Sequence, residues 1–103
     1  SGKPLREFLH VDDMADACAY LMHHFNEEGQ INIGIGTDIS IADLAGLIKE
    51  ITGFSGNIIF DISKPDGTPR KLMDVSKLNR LGWKYKIELE QGITNVYKQH
   101  FTA

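Results

Sequence analysis

The stretches of this chain that read as strands are too short to build a sheet among themselves, and this limits the fold more than any other feature. Glu7 to Val11, with Phe8 and Leu9 as its apolar residues, Ile31 to Ile33, and Asn57 to Asp61 carry the β-favouring residues. A sheet that stands alone needs three or more strands with a common apolar face. The intervening segments read as helices. Asp12 or Asp13 can cap a helix whose apolar positions Met14, Cys18, Leu21 and Phe25 recur at helical spacing, with a break over Asn26 to Gln30 and Gly29 as a stop. Ser40 is a good N-cap, and Asp43 suits the positive end of the helix that follows. Ile41, Leu44, Ala45, Ile48 and Ile51 form the apolar stripe of that helix, and Gly53 ends it. Asp74 or Ser76 can cap a short helix ending at Leu81-Gly82. A last helix spans Glu88 to His100 with Leu89, Ile93, Val96 and Tyr97 on one face. The pattern predicts an α/β chain of three to four helices with short strands, a lobe that leans on something larger and exposes an apolar face to it.

The 103 residues make one domain, 1–103, which can bury about two-thirds of its unfolded surface. A hydrophobic content of 42% and a charged content of 24% are ordinary for a globular protein. No apolar run approaches the roughly 20 residues that span a bilayer, so no membrane association is expected, and the first residues lack a secretory apolar core. The single Cys18 excludes an internal disulfide, has no second cysteine for a metal site and fits a reducing, cytoplasmic setting. Its neighbours Ala17, Ala19 and Leu21 suggest a small core residue. The formal net charge of −3 conceals an asymmetry, about −7 up to Ser63 and about +4 from Lys64 onward. Nucleic-acid domains are basic overall, so nucleic acid is not expected as a partner, whereas a local basic patch for a small anion is compatible.

Gly34-Ile35-Gly36 lacks the third glycine of a dinucleotide loop, because Ile39 stands at that spacing, and it reads as a turn. Gly53-Phe54-Ser55-Gly56 has the form of an RNA-binding GXXG loop, yet a helix C-cap followed by a turn uses the same residues. His23 and His24 are adjacent on a helix and point in different directions, and His10 reads as a strand-end residue bonded to its neighbours. No metal site follows from them. The loop Lys64-Pro65-Asp66-Gly67-Thr68-Pro69-Arg70-Lys71 is the most informative stretch. Its two prolines restrict the backbone, and it presents one carboxylate beside three cations. Arginine forks and lysine point charges suit phosphate oxygens, and aspartate accepts from ligand N–H or O–H groups, so the mixture fits a nucleotide sugar or a salt-bridged surface loop equally.

Four blocks occur in a set order. They are Ser-Gly-Lys-Pro-Leu-Arg-Glu-Phe-Leu-His-Val-Asp-Asp at 1–13, Ile31-Asn32-Ile33-Gly34, Phe60-Asp61 running on through the 64–71 loop, and Leu81-Gly82-Trp83. Together they resemble the C-terminal portion of the GDP-L-fucose synthase family, extended short-chain dehydrogenase/reductases, over essentially the whole chain. The first block is shared by nucleotide-sugar epimerases and dehydratases generally. The 64–71 block is narrower and is similar to the fucose synthase form.

The resemblance implies a small substrate-binding domain whose larger partner, an N-terminal Rossmann domain for NADP, lies upstream. It implies conversion of GDP-4-keto-6-deoxy-D-mannose to GDP-L-fucose by epimerisation at C3 and C5 and NADPH-dependent reduction at C4, in a homodimeric parent. It assigns substrate contacts to Arg6, Asp66 and Lys71, with Arg6 on the diphosphate, Lys71 reinforcing that charge and Asp66 accepting from nucleoside or sugar. No catalytic, cofactor or metal residue is assigned to this chain. The superfamily's Tyr-x-x-x-Lys is missing, since His24 follows Tyr20, Leu89 follows Tyr85 and Phe101 follows Tyr97 at that spacing. The fragment alone is therefore expected to be inactive, and Trp83 is expected to pack. Two other readings stay open, another reductase or dehydratase acting on UDP- or dTDP-sugars, and a stand-alone interaction module.

Overall fold

The computed structural model describes residues 1–102. In chain order the elements are β1 (Leu5–Arg6), α1 (Val11–His24), β2 (Ile39–Ser40), α2 (Ile41–Thr52), β3 (Arg70–Lys71), α3 (Ser76–Arg80) and α4 (Leu89–His100). The three strands form one sheet in the order β2-β1-β3. β1 runs antiparallel to β2, with Leu5 opposite Ser40 and Arg6 opposite Ile39. It runs parallel to β3, with Leu5 opposite Arg70 and Arg6 opposite Lys71.

The sheet therefore does not use the apolar stretches that its sequence suggests. The expected strands over Glu7 to Val11, Ile31 to Ile33 and Asn57 to Asp61 are absent, and pairing falls instead on the residues after Pro4 and Pro69 and just before α2. Proline's own φ is fixed at about −65°, which suits the entry to an edge strand. The Pro69 carbonyl also accepts from the Leu5 N–H at 2.8 Å and opens the β1–β3 ladder. Asn57 to Asp61 is exposed coil, and within it Phe60 closes over Gly2, where a Cβ would lie 2.7 Å from the ring. Gly2 has φ +81°, a conformation that only glycine adopts cheaply.

Helix starts follow local chemistry. The Ser40 Oγ accepts from the Asp43 N–H at 3.0 Å and caps α2. The first two N–H groups of that helix, on Ile41 and Ala42, donate to the Pro4 and Gly2 carbonyls at 3.0 and 2.9 Å, so the opening loop completes the cap. Gly53 ends α2 in the left-handed conformation. At α1 the cap is His10, whose Nδ1 accepts from the Asp12 N–H at 3.0 Å; neither Asp12 nor Asp13 is the cap, and both stand in the first turn.

The buried face of α1 is also displaced from the expected one. Ala17 is fully buried and Asp13 nearly so, while Met14 and Cys18 are exposed. The Asp13 Oδ2 accepts from the Lys86 and Ile87 N–H groups at 3.0 and 2.9 Å, and this anchoring turns α1 by one residue relative to its apolar pattern. Ala17, Val75, Leu78 and Trp83 make the core, with Leu9, Tyr20, Leu21, Ile31, Ile33 and Tyr85 against it. The Tyr20 hydroxyl donates to the Leu81 carbonyl at 2.5 Å.

α4 packs along α2, and the chain measures 49 × 37 × 15 Å with a radius of gyration of 16.4 Å. A compact domain of this length has about 13 Å. The chain is thus a plate one layer thick, and much of its apolar surface has cover on one side only. Among the described residues no helix is long and apolar enough to cross a membrane.

Candidate anion-binding site

The parallel register of β1 and β3 places Arg6 and Lys71 side by side. Paired residues on neighbouring strands share a face, and the strands lie about 4.8 Å apart. Leu5 and Arg70 occupy the opposite face by the same alternation. Of the cations brought here by the 64–71 loop, Arg70 is engaged already, because its Nε donates to Asp38 Oδ2 at 2.6 Å and the Asp38 side chain is only 11% exposed.

Arg6 is oriented by the backbone. Its Nη1 donates to the Leu5 and Thr68 carbonyls, both at 2.7 Å, so the guanidinium is held at one end. Gly67 lies against the same group, where a Cβ would stand 3.4 Å from Nη2. Lys71 is exposed and has no ion-pair partner among the described residues. A fork and a point charge on adjacent strands are the donors that a diphosphate requires.

Asp66 shares the loop but not the pair. Its Oδ1 accepts from the Ser1 nitrogen at 2.7 Å and its Oδ2 from the Ser1 hydroxyl at 2.5 Å.

A further residue lies within the 1–13 block beside Arg6. Glu7 follows Arg6, and its Oε2 accepts from the Ile35 and Gly36 N–H groups, both at 2.7 Å, while its Oε1 accepts from the Met73 N–H at 3.0 Å. This explains the Gly34-Ile35-Gly36 turn. A Cβ at Gly34 would lie 2.6 Å from Glu7 Oε2, and Gly36 has φ +82°. Successive N–H groups in such a turn form an anion-binding concavity. Here the anion is the chain's own carboxylate, so the turn does not fit the pyrophosphate of a dinucleotide. The sequence signals for this role were an acidic residue directly before Phe8-Leu9 and a Gly-x-Gly lacking its third glycine.

A hollow of about 620 Å³ lies elsewhere, between α2, α4 and Phe8 to Val11. Apart from His10, Thr52, Glu88 and Tyr97 its lining is apolar, and it holds none of Arg6, Asp66 and Lys71. Among the described residues no group of three His, Cys, Asp or Glu side chains is placed to hold a metal ion.

Residues 1–34 match the family model of the NAD dependent epimerase/dehydratase family. A GDP-6-OMe-4-keto-L-xylo-heptose reductase from C. jejuni superposes with a TM-score of 0.89 at 44% identity, over 97% of this chain and 32% of that one. A GDP-L-fucose synthetase from Naegleria fowleri, solved bound to NADP, gives 0.88 at 32% identity, over 98% and 33%. The chain thus has the fold of the C-terminal part of an extended short-chain dehydrogenase/reductase. In sequence it is 53% identical over 98 residues to a probable GDP-L-fucose synthase 1 of Oryza sativa subsp. japonica, across 95% of this chain and 30% of the relative. It is homologous to the GDP-L-fucose synthases and spans about a third of their length.

Proposed function

We propose that this chain is the nucleotide-sugar-binding portion of a GDP-L-fucose synthase, with Arg6 and Lys71 on the diphosphate and Asp66 accepting from nucleoside or sugar. What carries the reading is the Arg6–Lys71 register on the β1–β3 ladder, where the opening loop and the 64–71 loop set two cations side by side. The homology to synthases, and the likeness to a reductase of another GDP-sugar, support a GDP-sugar over other nucleotide sugars.

The whole enzyme converts GDP-4-keto-6-deoxy-D-mannose to GDP-L-fucose by 3,5-epimerisation and NADPH-dependent 4-reduction, as a cytoplasmic homodimer. Because the Gly34–Gly36 turn is filled by Glu7, we assign NADP to a Rossmann portion outside this chain, together with the groups that move protons. This chain binds and orients; alone it is inactive. The apolar hollow along α2 and α4 faces the rest of the enzyme.

The Asp66 carboxylate accepts from the Ser1 hydroxyl and its side chain is 41% exposed, so a ligand meets its open edge.

Amide chemical-shift mapping with GDP, UDP and dTDP tests the reading. It expects GDP to shift Arg6, Lys71 and the 66–68 loop and to outcompete both pyrimidine nucleotides. Preference for UDP or dTDP would assign the chain to another nucleotide-sugar enzyme, and no response at these residues would favour an interaction module.

A further inference from the structure

We propose that Glu7 is a positioning residue that locks the ends of β1 and β3 together, so that Arg6 and Lys71 meet one anion as a pair. The inference rests on the diphosphate reading for its ligand and on geometry alone for the lock. The β1–β3 ladder is two residues long on each side, and such a ladder is marginal without further ties. It also sets two like charges on neighbouring strands, which drives them apart. Glu7 lies one residue past Arg6, and the Met73 N–H that it holds lies two residues past Lys71. Through its other oxygen it fixes both strands to the Ile35–Gly36 turn. All three bonds go to a carboxylate, and hydrogen bonds to an ionised acceptor are the strong kind.

The chemistry is specific to a carboxylate. Glutamine at this position has one acceptor oxygen, and its NH₂ group would face an N–H that needs an acceptor. The space is equally specific, since Gly34 leaves the room that Oε2 fills. Two unrelated changes therefore dislodge the same lock. Glu7→Gln removes the acceptor, and Gly34→Ala pushes the carboxylate out while keeping its charge. Neither alters Arg6 or Lys71.

The test combines amide hydrogen exchange with GDP titration on the wild-type chain and both variants. In each variant exchange at Leu5, whose N–H crosses to Pro69, should quicken at least tenfold. Exchange at Gly92, whose N–H bonds to the Glu88 carbonyl at the start of α4, should stay as it was. GDP affinity should fall about tenfold in each. Unchanged Leu5 protection overturns the proposal, and so does loss of protection at Gly92 as well, which would make Glu7 a general folding residue. Quickened Leu5 exchange in a chain whose wild type shows no GDP response at Arg6 or Lys71 upholds the lock and rejects the diphosphate reading.

Discussion

The indole N–H of Trp83 donates to Asp16 Oδ2 at 2.8 Å, and the Lys86 ammonium lies 2.8 Å from the same oxygen. The bond to Lys86, then that to Trp83, holds the Asp16 carboxyl below the ordinary aspartate range, against a weaker opposing effect of desolvation. A carboxyl depressed in the folded state stabilises above its unfolded pKa, and that contribution is lost as pH falls through the depressed folded value. Trp83 is the only tryptophan, so its emission reports the event directly. The emission should change with an acid midpoint below the usual aspartate value, and Lys86→Ala should raise that midpoint because it removes the largest cause. A midpoint at or above the ordinary value in the wild type contradicts the assignment.

Leu78 is fully buried within a core whose other buried apolar members among the described residues are Ala17, Val75 and Trp83. Leu78→Ala removes the largest of the fully buried side chains. The expected loss is about 2–5 kcal/mol, a large share of what a domain this size possesses. Urea unfolding followed by Trp83 emission measures it, and a loss below about 1 kcal/mol would mean that the plate derives its stability elsewhere.

Helix α2 was legible in the sequence because Ser40 and Gly53 are unambiguous caps, and α4 because its apolar face repeats cleanly. The face of α1 was not. Periodicity assigns Asp13 to solvent, whereas it is buried to receive two N–H groups from a segment more than 70 residues away, and no local pattern encodes that. The strands were misplaced for a related reason. Isoleucine-rich stretches suggest buried strands only if something covers them, and in this chain Ile59 and Ile62 are over 80% exposed. Arg6 and Lys71 could be singled out from their motifs, but their side-by-side register, and Glu7 beneath it, depend on a pairing that only the fold supplies.

Asp13 provides a direct check on that anchoring. Asp13→Ala leaves the Lys86 and Ile87 N–H groups without acceptors in a half-buried place, with an expected cost of about 1–3 kcal/mol. Exchange at those two amides should rise well before that of Gly92. Equal acceleration at all three would show that Asp13 holds the chain globally and not the 86–87 segment in particular.

The hollow along α2 and α4 is open and almost wholly apolar, and apolar patches of that kind bind hydrophobic dyes. The chain at neutral pH should enhance ANS emission while its near-UV spectrum remains that of a packed protein. Val96→Asp, which charges the lining without touching the Leu78 core, should lower the enhancement severalfold. Dye binding that survives this change would place it on another surface, such as Ile58 to Ile62.

The cation ladder makes the sharpest demand on binding. Arg6 and Lys71 share a face, whereas Arg70 is turned away and paired with Asp38. Arg6→Lys keeps the charge but cannot reproduce a guanidinium held at Nη1 by two carbonyls. It should weaken GDP by roughly tenfold or more, in keeping with about 1.5–3 kcal/mol for a hydrogen bond to a charged group. Lys71→Ala should weaken it by a similar order and flatten its dependence on ionic strength, because an exposed charge acts through a screened field. Arg70→Ala should change affinity little. Titration of the three variants at two salt concentrations ranks them. If Arg70→Ala proved the most damaging, the register would not be what selects the binding cations, and the ligand would have to approach from the opposite face of the sheet.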